Sequence, residues 1–380
     1  MSQINVDAIR HTSASSDAIT LASNGKCSVT GSTVTADTGN FTNLPNRNLI
    51  INGAMQIAQR ADLTTAADGY GAVDRWYLYN AGDGRATITQ STDVPSTKEF
   101  QYSYKLDVTT ADTAGASSRG SIIQWLEAKD SRVTLKGTSA AKKITVQFWV
   151  KSPKTGTHIV ALSDDDETDH STTRFINATY TVSTANTWEK KTVTFAGDTT
   201  GVFNATTARG LAVVFRLVQG SDSTSGALAT SWADYALANE GAGQVNVLDN
   251  TSNDFYLTGV QLELGDYATD FEHLPYGRDL ERCKRYFQKI DYYKYSGATG
   301  NLYYYNDTII LSPSMRATPT LADTTDWKLD TGNGDFYTSG GSQTNGASIN
   351  GGAEHSVTFS HAAGAAWSYA WCRLWLNSEL

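Results

Sequence analysis

Alternation of apolar and polar positions dominates the middle of the chain. In Ile144-Thr145-Val146-Gln147-Phe148-Trp149-Val150, the residues Ile144, Val146, Phe148 and Val150 fall on one side and Trp149 on the other, the period-two signature of a strand with one buried face. Leu211 through Leu217 repeat the pattern, and Ile122 through Leu126 and Trp188 through Phe195 behave similarly. Near the end of this stretch Phe255 and Leu257 share one phase, while Val260, Leu262 and Leu264 share the other. Gly259 sits at the phase change and predicts a β-bulge. Many short strands with no long helix between them predict a β-sandwich over residues 47–275.

The flanks read differently. Residues 1–46 are thin in large apolar groups, with Phe41 the only aromatic. Ile19-Thr20-Leu21 and Cys27-Ser28-Val29 around Asn24-Gly25 predict a hairpin. Such a segment cannot bury a core alone, and its alternation suits one that packs against identical copies of itself. A connecting helix is predicted over 276–290. Pro275 and Gly277 punctuate its start, Asp279 and Glu281 suit the positive end of its dipole, and Leu280, Cys283, Phe287 and Ile290 form a stripe. Residues 291–380 return to strands as a C-terminal β domain. Tyr292, Tyr293 and Tyr295 face Tyr303, Tyr304 and Tyr305 across a Gly-containing stretch, predicting an aromatic hairpin. In the last strand Trp367, Tyr369, Trp371 and Trp375 lie on one side, with Ala370, Cys372, Leu374 and Leu376 on the other.

Composition narrows the function. Charged residues make up 18% of the chain, below the ~25% usual for globular proteins, and Thr, Ser, Ala, Asn and Gly fill the gap. The net charge of −9 argues against nucleic-acid partners and against docking on anionic lipid. Three widely spaced cysteines indicate neither a disulfide framework nor a metal knuckle. The N-terminus lacks a secretory layout, and no run approaches the ~18 apolar residues of a membrane span. The expectation is a protein made in the cytoplasm with no membrane insertion.

Catalytic signatures are missing: there is no Gly-x-Ser-x-Gly elbow, zinc helix or phosphate loop, so the chain reads as a non-enzyme without a cofactor. The acidic run 164–169 offers oxygens for calcium through Asp164, Asp166 and Asp169, but it lacks the glycine and terminal Glu of an EF-hand loop and reads first as a solvated loop between two strands. Exposed aromatics can stack on sugar rings, which makes Trp149, Tyr303, Tyr304 and Tyr305 glycan-contact candidates. Their alternative role is a packed face or a subunit interface.

Several segments resemble a family of tailed-bacteriophage tail-fibre and virion proteins common among marine and cyanobacterial phages. They are Ala8 through Leu21; Asn46 through Met55 with Ala58-Gln59-Arg60 and Asp74-Arg75-Trp76; Gly259 through Gly265 with Ala268 through Glu272; Leu280 through Phe287; Met315 through Thr320; and the terminal Glu379-Leu380. The strands at 148–150, 188–195 and 260–262 are similar in order to a carbohydrate-binding-module jelly roll. The resemblance implies a homotrimeric appendage on a virion assembled in the host cytoplasm. Its residues 1–46 would attach to tail, baseplate or other fibre proteins, and it would adhere to host cell-surface glycan as a tail fibre or receptor-binding protein. A capsid head-decoration protein of the same modular type and a tail-spike glycan depolymerase are the alternatives. No internal repeat of the kind expected of a tail-spike β-helix is found.

Overall fold

The computed structural model describes residues 46–66, 68–164, 173–295, 304–323, 327–330, 336–338, 348–362 and 369–380, together with three short strands before them. Two compact units result, residues 1–44 and 45–380. In the first, β1 (Ala8–Ile9), β2 (Ile19–Leu21) and β3 (Cys27–Val29) form an antiparallel sheet in the order β1-β2-β3, with Ile19 opposite Val29. The Asn24-Gly25 turn lies outside the described residues.

The second unit is mainly β. Its strands are β4 (Leu63–Ala66), β5 (Gly69–Tyr70), β6 (Tyr77–Asn80), β7 (Arg85–Ser91), β8 (Ser103–Thr110), β9 (Arg119–Glu127), β10 (Ile144–Lys151), β11 (Gly156–Asp164), β12 (Arg174–Val182), β13 (Glu189–Phe195), β14 (Arg209–Gln219), β15 (Ala233–Asp234) and β16 (Asp254–Leu264). They make two antiparallel sheets, one of order β13-β10-β16-β8-β7-β4 and one of order β15-β12-β11-β14-β9-β6-β5. The inner faces meet in one core. Ile144, Val146, Phe148 and Val150 come from the six-stranded sheet, while Leu78, Ile122, Leu162, Leu211, Val213 and Phe215 come from the seven-stranded one. Short helices α1 (Ala128–Ser131) and α2 (Ser221–Thr224) sit in connections.

The bulge falls where the phase change placed it. Against β10, the register of β16 slips so that Gln147 faces Gln261 but Trp149 faces Thr258. Gly259 takes the extra step at φ +60°. A Cβ there would meet the Phe100 ring at 2.6 Å, so glycine is required for both conformation and space.

Two expectations are corrected past Pro275. Helix α3 runs only over Tyr276–Lys284, and Phe287 and Ile290 belong to strand β17 (Phe287–Tyr295) instead. The stripe is compatible with either period. The strand wins because β17 pairs along its whole length with β24 (Tyr369–Asn377), from Phe287 opposite Asn377 to Tyr295 opposite Tyr369. For the same reason the aromatic hairpin does not form. Strand β18 (Tyr304–Ile310) pairs instead with β23 (Ser356–Ala362), in a separate sheet with β22 (Ser348–Ala353). The short strands β19 (Thr320–Asp323), β20 (Trp327–Asp330) and β21 (Phe336–Thr338) complete the sheet around β24. No helix among the described residues is long and apolar enough to cross a membrane.

Within residues 45–380, the segments that carry the family resemblance converge in space. Asn48 Oδ1 accepts from the backbone N–H of Ile50 and of Leu262, at 3.0 and 3.1 Å, tying the opening of the sandwich to its closing strand. Asn52 N–H donates to Asp279 Oδ1 at 3.1 Å on α3. Glu379 pairs with buried Arg75 and, at 3.0 Å, with Arg60. Arg75 lies over the Tyr286 ring at 3.5 Å. The Arg285 guanidinium donates to both oxygens of buried Glu127, and Arg316 caps the carbonyls of Ser378 and Glu379. This junction explains those motifs as structure: buried Arg75 and Glu127 each face an opposite charge, and buried Asp279 accepts from Asn52 and Gln56.

Candidate functional site

The inner face of the seven-stranded sheet is spent on the core, so any site on that sheet lies on its outer face. Residues opposite one another in the ladder form rows across this face. One row runs Tyr79–Ser121–Arg216, a second Tyr77–Ile123–Val214–Ala161, and a third Trp125–Ala212–Ser163–Phe175. The first and third rows have small middles and large ends, and the second runs from Tyr77 over aliphatic residues to Ala161. That distribution makes a trough.

The result is an open cleft of about 630 Å³ lined by Tyr77, Tyr79, Arg119, Trp125, Phe175, Arg209, Arg216, Tyr235 and Glu240 over a floor that includes Ser121, Ala212 and Val214. Tyr235 and Glu240 come from the segment after β15, with a 3-10 turn at Leu237–Asn239, which forms one wall. At the other wall, the Tyr77 and Trp125 rings lie 5.5 Å apart between centroids, and Tyr70, outside the lining, packs on Tyr77 at 5.0 Å. Tyr70 is anchored by donating its hydroxyl to the Leu380 carbonyl at 3.0 Å.

Three guanidinium groups reach this cleft. Arg209 lies over the Trp125 ring at 4.2 Å, a cation–π arrangement that also stiffens both side chains. Arg216 is buried; it faces Glu240 at 3.4 Å and donates to Asn177 Oδ1. Burial pulls its pKa below the usual guanidinium value, against the pull of Glu240. Arg119 donates to the hydroxyls of Tyr235 and Tyr79, both at 3.2 Å. Burial raises Tyr77 and Tyr235 above the ordinary tyrosine value, helped by Asp68 for the first and Glu240 for the second, so both stay neutral donors. Flat rings beside fixed donors suit sugar, whose ring faces stack on aromatics and whose hydroxyls take hydrogen bonds. Among the described residues lining the cleft, Glu240 is the one acid.

None of the sequence-nominated residues that the structure describes is among the residues lining this cleft. Trp149 does leave the core face of β10 and is half-buried between Lys190 and Thr258 on the outer face of the six-stranded sheet, away from the cleft. Tyr303 lies outside the described residues, and Tyr304 and Tyr305 open β18. Of the calcium candidates, Asp166 and Asp169 lie outside the described residues. Asp164 is buried and faces Lys136 Nζ at 2.8 Å, and the same ammonium reaches Asp198 at 3.3 Å. One oxygen of Asp164 is thus paired with an ammonium. No group of three metal-ligating side chains occurs among the described residues.

No family model matches the chain, and no curated protein matches it. Among solved structures it is similar to the enzymatically active domain of bacteriophage CBA120 tailspike protein 4, at 15% identity and TM-score 0.32, over 58% of this chain and 22% of that one. It thus spans less than a quarter of the tailspike domain's length. It is also similar to the family 11 carbohydrate-binding module of a Clostridium thermocellum cellulase, at 10% identity and TM-score 0.28, over 57% of this chain and 100% of that one. The xylan-binding CBM22-2 domain of Paenibacillus barcinonensis Xyn10C aligns at 12% identity and TM-score 0.29, over 54% of this chain and 98% of that one. At such scores the fold assignment rests on the strand order and register above.

Proposed function

We propose that this chain is a non-catalytic structural protein of a tailed-bacteriophage virion, a homotrimeric tail fibre or receptor-binding protein that holds host-surface glycan in the cleft of its sandwich. The observation that carries the reading is the trough itself, with rings of Tyr77, Trp125 and Tyr235 on its walls and guanidinium donors between them. Binding is favoured over cleavage because glycoside hydrolysis ordinarily uses two carboxylates. The acid described in this cleft is Glu240, and Arg216 engages it. The virion role is supported by the motifs that resemble phage fibre proteins. Three copies would turn weak single-site binding into firm adhesion.

The test is a glycan array of bacterial surface polysaccharides probed with the full chain and with Tyr77→Ala. Tyr77 is half-buried and outside the core between the two sheets, but it packs on Tyr70 and Trp125, so circular dichroism checks that the variant is folded. Saturable binding weakened by about tenfold or more in the variant, roughly 1.4 kcal/mol, is expected. No binding to any glycan would refute the reading. Light scattering on the same protein is expected to give a trimer mass; a monodisperse monomer would remove the fibre role.

A further inference from the structure

We infer that the cleft selects glycans bearing carboxylate groups, of the uronic-acid type, and that Arg119 is the residue that recognises the carboxylate. The inference rests on the glycan-binding reading above and adds the ligand's charge class. Acids outnumber basic residues by nine over the chain, yet the described lining of the cleft holds three arginines against one acid. Among the described lining residues the sign is therefore opposite to that of the molecule. Glu240 is already committed to Arg216, whose remaining face is taken by Asn177.

Arg119 is placed differently. Its partners are two neutral hydroxyls, those of Tyr235 and Tyr79, and no described carboxylate lies within ion-pair distance of it. It is half-buried on β9, and the like charge of Arg216 is near enough to be felt. A guanidinium stays charged at any working pH, and a partly desolvated charge without a counter-ion is costly. Tyr79 and Tyr235 approach from opposite walls and fix the plane of the fork, leaving further N–H donors for a ligand. A carboxylate supplies matched geometry and the missing charge, with hydrogen bonds about twice as strong as neutral ones. A sugar hydroxyl would satisfy the donors but leave the charge uncompensated. The focused positive potential also makes capture of an acidic glycan salt-dependent.

The experiment is calorimetric titration of the full chain with two oligosaccharides, tetragalacturonate and a hyaluronan tetrasaccharide, each beside its carboxyl-reduced counterpart. The acid form of at least one pair is expected to bind about tenfold or more tightly than its reduced form, with the advantage shrinking as salt rises. Arg119→Gln should erase that preference while leaving the weaker neutral binding, and Arg119→Lys should keep part of it. Equal or better binding of the reduced forms, measured on the unsubstituted chain, overturns the inference and leaves the glycan reading intact. Binding of no form overturns the inference, while the glycan reading stands or falls on the array. A preference that survives in Arg119→Gln would remove Arg119 from the role.

Discussion

Replacing Glu379 by Gln removes the counter-charge from the junction where the Arg60 and Arg75 segments meet the C-terminal residues. The Glu379 side chain is 4% exposed and pairs with Arg75, 1% exposed, and Arg60, 10% exposed. Arg75 is held in place by its bond to the Trp125 carbonyl at 2.7 Å and by the Tyr286 ring, so it cannot turn to water when the carboxylate goes. Breaking one partner of a buried ion pair leaves an uncompensated charge, which costs about 3–5 kcal/mol. By contrast, Lys143 and Asp266 pair at 3.3 Å while 58% and 48% exposed, so Lys143→Ala should cost no more than about 1 kcal/mol. Urea unfolding of both variants, followed by tryptophan fluorescence and far-ultraviolet circular dichroism, separates the two cases. A loss for Glu379→Gln no larger than that for Lys143→Ala would refute the reasoning.

Two further outcomes follow from the same packing. Burial lifts Asp74 from 3.8 to about 6 despite Arg60 and the hydrogen bonds from Gln59. The folded state then holds this proton more tightly than the unfolded chain. Its contribution to stability should therefore fall as pH rises from about 4 to about 6 and stay roughly 3 kcal/mol lower above that range. Asp74→Asn should flatten the stability–pH profile in that window, and an unchanged slope would contradict the assignment. Gly259→Ala forces a side chain into φ +60° against the Phe100 ring; a drop of about 1–3 kcal/mol in urea unfolding is expected, and a neutral result would mean the bulge relaxes freely.

Much of the sandwich was legible in the chain. The period-two runs at 144–150 and 211–217 became central strands with the expected residues inward, and the phase change at Gly259 became a bulge. What misled was the region after Pro275. There a helical stripe and a strand pattern coexist over 280–290, and only the distant partner β24 decides between them. The site was harder still. Trp149 was singled out because it left a core face, but the cleft is built by outward residues of several strands that are far apart in sequence. The signal was present in β14: Arg209 and Arg216 bracket a segment apolar on both faces, a mark of a strand covered on two sides. Tyr79, Arg119 and Tyr235 carry no local mark, since only the sheet order brings them together.

The most direct test of a glycan site in this cleft is hydrogen exchange on the full chain with and without a bound oligosaccharide taken from the glycan array. Added protection is expected in residues 77–80, 119–125, 209–216 and 235–240, the strands and wall of the cleft. Protection confined to residues 147–151 and 188–191, the strands around Trp149, or to the β18 region near Tyr304 would contradict it and move the site to another face.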